Sequence, residues 1–276
     1  MVSFRAPAKQ AAAAVRSLAA HGQARHGNAG DGQIHSLGTQ RNYQQALRGV
    51  AAFIQENRLG DLRDLNRDVA VAYLEARSQE VGQKTLDLDR QAMQAVIGEK
   101  LAVIKSELDQ ALSSRAYTPA QVALVADAQT ARHALATRIA ENAGLRAHEL
   151  QTLRPVAERA ADNHRIYRDD RFAGRTDVQR YTVVGKGGLT REVALDRALA
   201  TQLEARRLDT PKIVYDREIR YVQHYDLGGG KQWSDSFSKA AQRELGWSEG
   251  AHGVRHTYAQ ARMNTGSEAQ PNGKPR

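Results

Sequence analysis

The chain has 276 residues, of which 41% are apolar and only 5% aromatic. Alanine and leucine dominate the apolar set, which favours helices over sheets. Forty Lys and Arg stand against 31 Asp and Glu, a formal charge of +9 that makes a polyanion, nucleic acid first, the expected partner. No apolar run is long enough to span a bilayer, and with no cysteine there is neither a disulfide framework nor a thiolate zinc site, so a cytoplasmic protein is expected.

Residues 1–36 are rich in Ala, Gly, Gln and basic side chains, and "HGQARHGNAGDGQ" has linker composition. They read as a flexible basic arm with at most one helical stretch over 8–20. Ordered structure is expected from residue 37, where Tyr43, Leu47, Val50, Phe53 and Ile54 recur at helical spacing until Gly60. A second helix follows Asn66 as N-cap, and a third follows Gly82 with Leu86, Met93 and Ile97 on one face. "LAVIKSELDQALSS" extends the third helix or forms a fourth. Residues 37–112 thus read as a small helical bundle.

A second unit is expected over 117–263. Thr118 caps a helix with Pro119 in its first turn, and another helix stops at Gly144. Arg146, Glu149, Leu150 and Leu153 then suggest a further helix, ended by Pro155. "RYTVVGKGGLTREVAL" is the clear strand signal, two β-rich runs about a Gly-rich turn. A helix is predicted over 196–208, a loop over 215–232, a helix over 234–245 and a last helix from near Gly253. Helical periodicity ends at Met263, and 264–276 has the composition of a disordered tail.

Taken singly, the chemical motifs are weak. "VVGKGG" is not followed by Ser, Thr or a helix, and "GGGK" at 228–231 has Gln232 at the hydroxyl position, so neither is a phosphate loop. His252 and His256 could share a metal, but no glutamate base lies between them, and no metal is assigned. His252 and Arg255 form the His-x-x-Arg match in "AHGVRHTYAQARM".

Their order is more informative. "AGLRAHELQTLRP", then a hairpin with Lys186 at its turn, then "AHGVRHTYAQA" opening a late helix resembles the tyrosine recombinase, or phage integrase, family. Upstream, "TQRNYQQALRGVAAFIQ", "VAYLEAR" and "TLDLDRQAMQAV" look like that family's helical core-binding domain. The resemblance covers residues 37 to about 263 and implies a mainly α fold: a SAM-like helical domain, then an α+β catalytic domain with a small sheet. It also implies DNA cleavage and rejoining through a phosphotyrosyl link, without metal, ATP or other cofactor. The implied partners are double-stranded DNA at attachment-type sites and further copies of the chain assembled on it, held at the nucleoid when bound.

On this resemblance Arg146 and Arg255 match the two phosphate-clamping arginines. His252 matches a hydrogen-bond donor or proton carrier, and Lys186 the general acid for the leaving 5′ oxygen. Glu149 and His256 match supporting positions, Glu149 by orienting Arg146. The stretch 158–179, between Arg146 and Lys186, is longer than in the family pattern. The family's nucleophilic tyrosine lies well beyond its His-x-x-Arg helix. Only 21 residues follow Arg255 here, Tyr258 is the last tyrosine, and its expected role is core packing. The expectation is therefore a recombinase chain cut before its nucleophile and inactive alone. The alternative is a non-catalytic DNA-binding protein or regulator derived from one.

Overall fold

The computed structural model describes residues 5–21, 32–109, 114–163, 167, 169–172, 174–185 and 187–268. The chain divides into two compact units, Met1–Leu112 and Ser113–Arg276. Among the described residues, no helix is long and apolar enough to cross a membrane.

The first unit is helical: α1 (Pro7–Ser17), α2 (Leu37–Glu56), α3 (Arg67–Ser78) and α4 (Gln83–Ile97). Each start has a local cause. Pro7 opens α1, while the Ser36 and Asn66 side chains accept the Thr39 and Val69 amides, both at 3.1 Å, satisfying donors left open at the helix ends. Leu47, Val50 and Ile54 of α2 meet Tyr73 and Leu74 of α3 and Leu86 and Met93 of α4 in one buried core.

Two expectations fail in this unit. Residues 5–21 and 32–36 do not form a free arm. Ala11, Val15 and Ile34 lie in the core, Gln10 Oε1 accepts the Leu62 amide at 2.8 Å, and Ala19 bridges Ile34. The apolar face of a short alanine-rich helix was enough to dock it. Residues 22–31, the rest of the linker-like stretch, lie outside the described residues. Nor is there a fourth helix over 101–109: Gly98, at φ +81°, ends α4, and the chain runs on extended. It is fixed by Leu101 in the core and by Gln83, whose side chain donates to the Ile104 carbonyl and accepts the Ser106 amide.

The second unit contains α5 (Pro119–Asp127), α6 (Ala131–Ala143), β1 (Arg154–Pro155), β2 (Val178–Val184), β3 (Thr190–Asp196), α7 (Arg197–Glu204), β4 (Arg207–Asp216), β5 (Ile219–Tyr225), α8 (Gly230–Leu245) and α9 (His252–Glu268). Strands β1, β2 and β3 form an antiparallel sheet in that order, and β4 pairs with β5. Tyr181 and Val183 of β2, Val193 and Leu195 of β3, Ile139 of α6, Trp233 and Phe237 of α8 and Val254 of α9 share one core. This is the mainly α fold with a small sheet that the sequence implied.

Four local readings need correction here. The helix expected from Arg146 to Leu153 is only a 3-10 turn, Glu149–Thr152, in which backbone bonds run three residues back, from the Glu149 amide to the Arg146 carbonyl and from the Gln151 amide to the His148 carbonyl. The loop expected over 215–232 is mostly the β4–β5 hairpin and the start of α8, and β4 takes over from the helix expected to reach 208. Its turn uses Arg217 and Glu218 at φ 49° and 70°, with no glycine or asparagine to announce it. Finally, α9 continues past Met263 to Glu268, into the tail expected over 264–276; the remainder, 269–276, lies outside the described residues.

Candidate active site

Helix α6 ends at Gly144, whose backbone is left-handed at φ +61°, a conformation glycine adopts without the steric cost of a side chain. The chain then turns sharply through Leu145, buried in the core, and presents Arg146. Opposite it stands the first turn of α9. That helix is tied to the start of the unit by Thr257, whose hydroxyl accepts the Tyr117 amide at 3.0 Å and donates to the Tyr117 carbonyl at 2.8 Å.

These two elements meet at Gly144. The Arg255 guanidinium donates through Nη1 to the Gly144 carbonyl, 111 residues earlier in the chain. The Tyr258 ring lies so close to Gly144 that a side chain there would collide with it. Tyr258 is half-buried in this contact, in keeping with packing rather than chemistry. Burial first, and then the neighbouring Arg146 cation, lower the pKa of Arg255.

Arg146 is held differently. Its Nη1 donates to Glu149 Oε1 at 3.0 Å and its amide to Glu149 Oε2 at 2.8 Å. Glu149 is fully buried and takes a third bond, from Arg191 Nη2 of β3 at 2.8 Å. Burial works to raise the pKa of Glu149, but Arg191 and Arg146 outweigh it and hold the carboxyl below the usual carboxylate range. The carboxylate is thus ionised and shared by two guanidiniums. Charge-assisted bonds of this kind fix a fork in space before any ligand arrives.

His252 opens α9 and is exposed; its ring meets that of His256 edge-on, centroids 5.0 Å apart. Burial of part of the ring, followed by His256, Arg255 and Arg146, lowers the His252 pKa, so the ring is neutral at pH 7. Among the described residues no group of three or more His, Asp or Glu side chains is placed to hold a metal ion.

Of the residues singled out from sequence, Arg146, Glu149, His252, His256 and Arg255 therefore gather in one neighbourhood. Lys186 lies outside the described residues. Its predecessor, Gly185, is at the site: a Cβ added there would stand 3.3 Å from Glu149 Oε1. Sequence reasoning missed Arg191. The signal was present, because strand alternation puts Arg191 on the same face as the buried Val193 and Leu195, where a cation demands a partner.

No family model matches the sequence, and no curated protein matches it. Among solved structures the chain is similar to the XerH site-specific recombinase bound to its difH substrate in a pre-cleavage complex, at 13% identity and a TM-score of 0.55, over 96% of this chain and 88% of that one. It is also similar to XerH on a palindromic difH substrate in a post-cleavage complex, at 12% identity and a TM-score of 0.55, over the same shares. At such identities the likeness speaks for the fold. This chain shares its fold with the XerH recombinase, in line with its resemblance to tyrosine recombinases.

Proposed function

We propose that the chain binds duplex DNA and that its second unit carries the phosphate-gripping part of a strand-cleaving and rejoining centre. The reaction is that of a tyrosine recombinase, passing through a phosphotyrosyl link. The observation that supports this most is the meeting of Arg146 and Arg255, each held by a partner of its own, Glu149 and the Gly144 carbonyl. Attack of a hydroxyl on phosphorus builds charge on the non-bridging oxygens. Guanidiniums fixed in advance stabilise that charge without having to reorganise.

His252, neutral and exposed beside both cations, donates a hydrogen bond to the same phosphate or carries its proton. Glu149 orients Arg146, and His256 supports His252 through the ring contact. Lys186, next to Gly185, is carried over from the family resemblance as the acid that protonates the leaving 5′ oxygen. With Tyr258 packed on Gly144, we assign the attacking hydroxyl to a tyrosine other than Tyr258, supplied from outside this neighbourhood. Both XerH structures contain DNA substrates, which supports DNA as the partner here. Attachment-type sites, recombination as the outcome and self-association on DNA belong to the same reading.

The test is the affinity of the 276-residue chain for a duplex at several salt concentrations, alongside Arg146→Ala and Arg255→Ala. Binding should weaken with salt, by about 0.9 in log affinity per log salt for each phosphate neutralised. Each variant should bind more weakly than the parent. Parental affinity in both variants would overturn the reading.

A further inference from the structure

We infer that Arg191 is a positioning residue for this phosphate grip: it ties the β2–β3 hairpin to Arg146 through the buried carboxylate of Glu149. The inference rests on the reading just proposed and extends it to a residue that the motif pattern does not include.

The geometry is specific. Glu149 is bracketed from two directions, by Arg146 from the segment after α6 and by Arg191 from β3. The hairpin touches it twice, through Arg191 and through Gly185, where a side chain would crowd Oε1. One cation suffices to neutralise a buried carboxylate. Two cations on one carboxylate leave a surplus positive charge beside Arg255. Arg191 therefore does two things through Glu149: it holds the carboxyl group from the strand side where Arg146 meets it, and it restores the charge that Glu149 removes. Counting formal charges over Arg146, Glu149, Arg191 and Arg255 gives a net of plus two; without Arg191 it would be plus one.

A purely structural arginine would not make the site depend on pH in a particular direction, and this one does. The charged or titratable groups facing Glu149 are Arg146, Arg191, Arg255 of α9 and the adjacent His148. In Arg191→Met the carboxyl loses a cation while keeping its burial, so its affinity for protons rises. On mild acidification it takes up a proton, and the local charge returns to plus two.

The experiment is duplex affinity at fixed salt for the parent, Arg191→Met, Arg191→Lys and the double variant Glu149→Gln/Arg191→Met, each expressed as a ratio to the parent at the same pH. The ratio cancels histidine titration common to all four. Near pH 7.5, Arg191→Met should bind roughly tenfold more weakly, and near pH 5.5 that deficit should shrink severalfold. Arg191→Lys should recover much of the loss, and the double variant, which has no carboxyl to titrate, should show a ratio independent of pH. A deficit of equal size at both pH values in Arg191→Met, or no rescue by lysine, would overturn the inference. If Arg191→Met fails to fold, near-parental affinity of Arg191→Lys together with a pH-independent double variant decides in its favour, and a strongly weakened Arg191→Lys or a pH-dependent double variant decides against it. Arg146→Ala and Arg255→Ala run in parallel separate the two levels. If they weaken binding and Arg191→Met does not, only the Arg191 inference falls; if none of the three weakens it, the proposed function falls.

Discussion

The two arginines of the site come from regions built in opposite ways. Arg146 sits on an irregular turn between a helix end and a 3-10 turn, and its direction is set by charge: a buried carboxylate holds its amide and its guanidinium together. Arg255 sits within the first turns of α9, and its direction is set by packing, with the Gly144 carbonyl as its partner and the Tyr258 ring packed on that same glycine. An irregular segment lacks a helix's intrinsic rigidity, so it needs an ionic tether. A helix already has the rigidity and needs only a stop. The difference predicts which changes should hurt each side, and how pH should enter.

The largest effect expected is on chemistry. In a protein supplied with the attacking tyrosine, Arg146→Ala and Arg255→Ala should each slow formation of a covalent protein–DNA adduct on a nicked duplex by about a hundred- to a thousandfold. Comparable rates in either variant would show that the arm concerned does not grip the reacting phosphate. The 276-residue chain should bind the same duplex without an adduct on a denaturing gel.

Next comes stability on the charge-held side. Glu149→Ala leaves Arg146 and Arg191 without their shared partner, which would cost about 3–5 kcal/mol for a fully buried pair. Because the two guanidinium side chains keep 37% and 23% of their exposure, about 2 kcal/mol is the better expectation in urea unfolding. The folded carboxyl is depressed below its unfolded value, so its contribution is complete above the unfolded pKa and fades as pH falls through the folded one. The stability gap between the parent and Glu149→Gln should therefore narrow toward acid pH. A gap that widened would reverse the assigned direction of the shift.

On the packing-held side, Gly144→Ala meets two obstacles, the left-handed backbone and the Tyr258 ring. About 2 kcal/mol of stability should be lost. Adding Tyr258→Ala should not return the protein to parental stability, because the backbone strain of about 1 kcal/mol remains. Full recovery in the double variant would mean that collision alone was the cause.

The smallest expected effect is at His252. Its pKa is held down in the free protein, and a bound phosphate would favour the imidazolium. Binding should therefore take up a proton, and affinity should rise a few-fold as pH falls from about 7.5 to about 5.5. His252→Ala should flatten that part of the profile. Proton uptake measured calorimetrically in buffers of different ionisation enthalpy checks it directly.

Legibility in the sequence followed the same division. Helices were readable where an apolar stripe and a cap coincided, as in α2, α3 and α5, and so was the β2–β3 hairpin, whose inward residues alternate into the core. The β4–β5 hairpin was not. Most of β4 is exposed, with Ile213 and Tyr215 keeping 53% and 70% of their surface, so no alternation marks it. Within the candidate site, Arg146, Glu149, His252 and Arg255 were singled out by their order along the chain. Strand alternation marks Arg191 as a cation in need of a partner, but that partner lies 42 residues away, so its role was missed. Short-range spacing reports a helix face or a motif; it does not report which distant carboxylate a strand cation will meet.

The central claim is that Arg146 and Arg255 grip one phosphate. A double-mutant cycle on duplex affinity at low salt, using Arg146→Ala, Arg255→Ala and the pair, tests it most directly. If both forks act on the same group, removing one changes what the other is worth, and the double variant should depart from the sum of the singles by about 1 kcal/mol or more. Losses that add within about 0.3 kcal/mol would place the two arginines on independent phosphates and contradict the account.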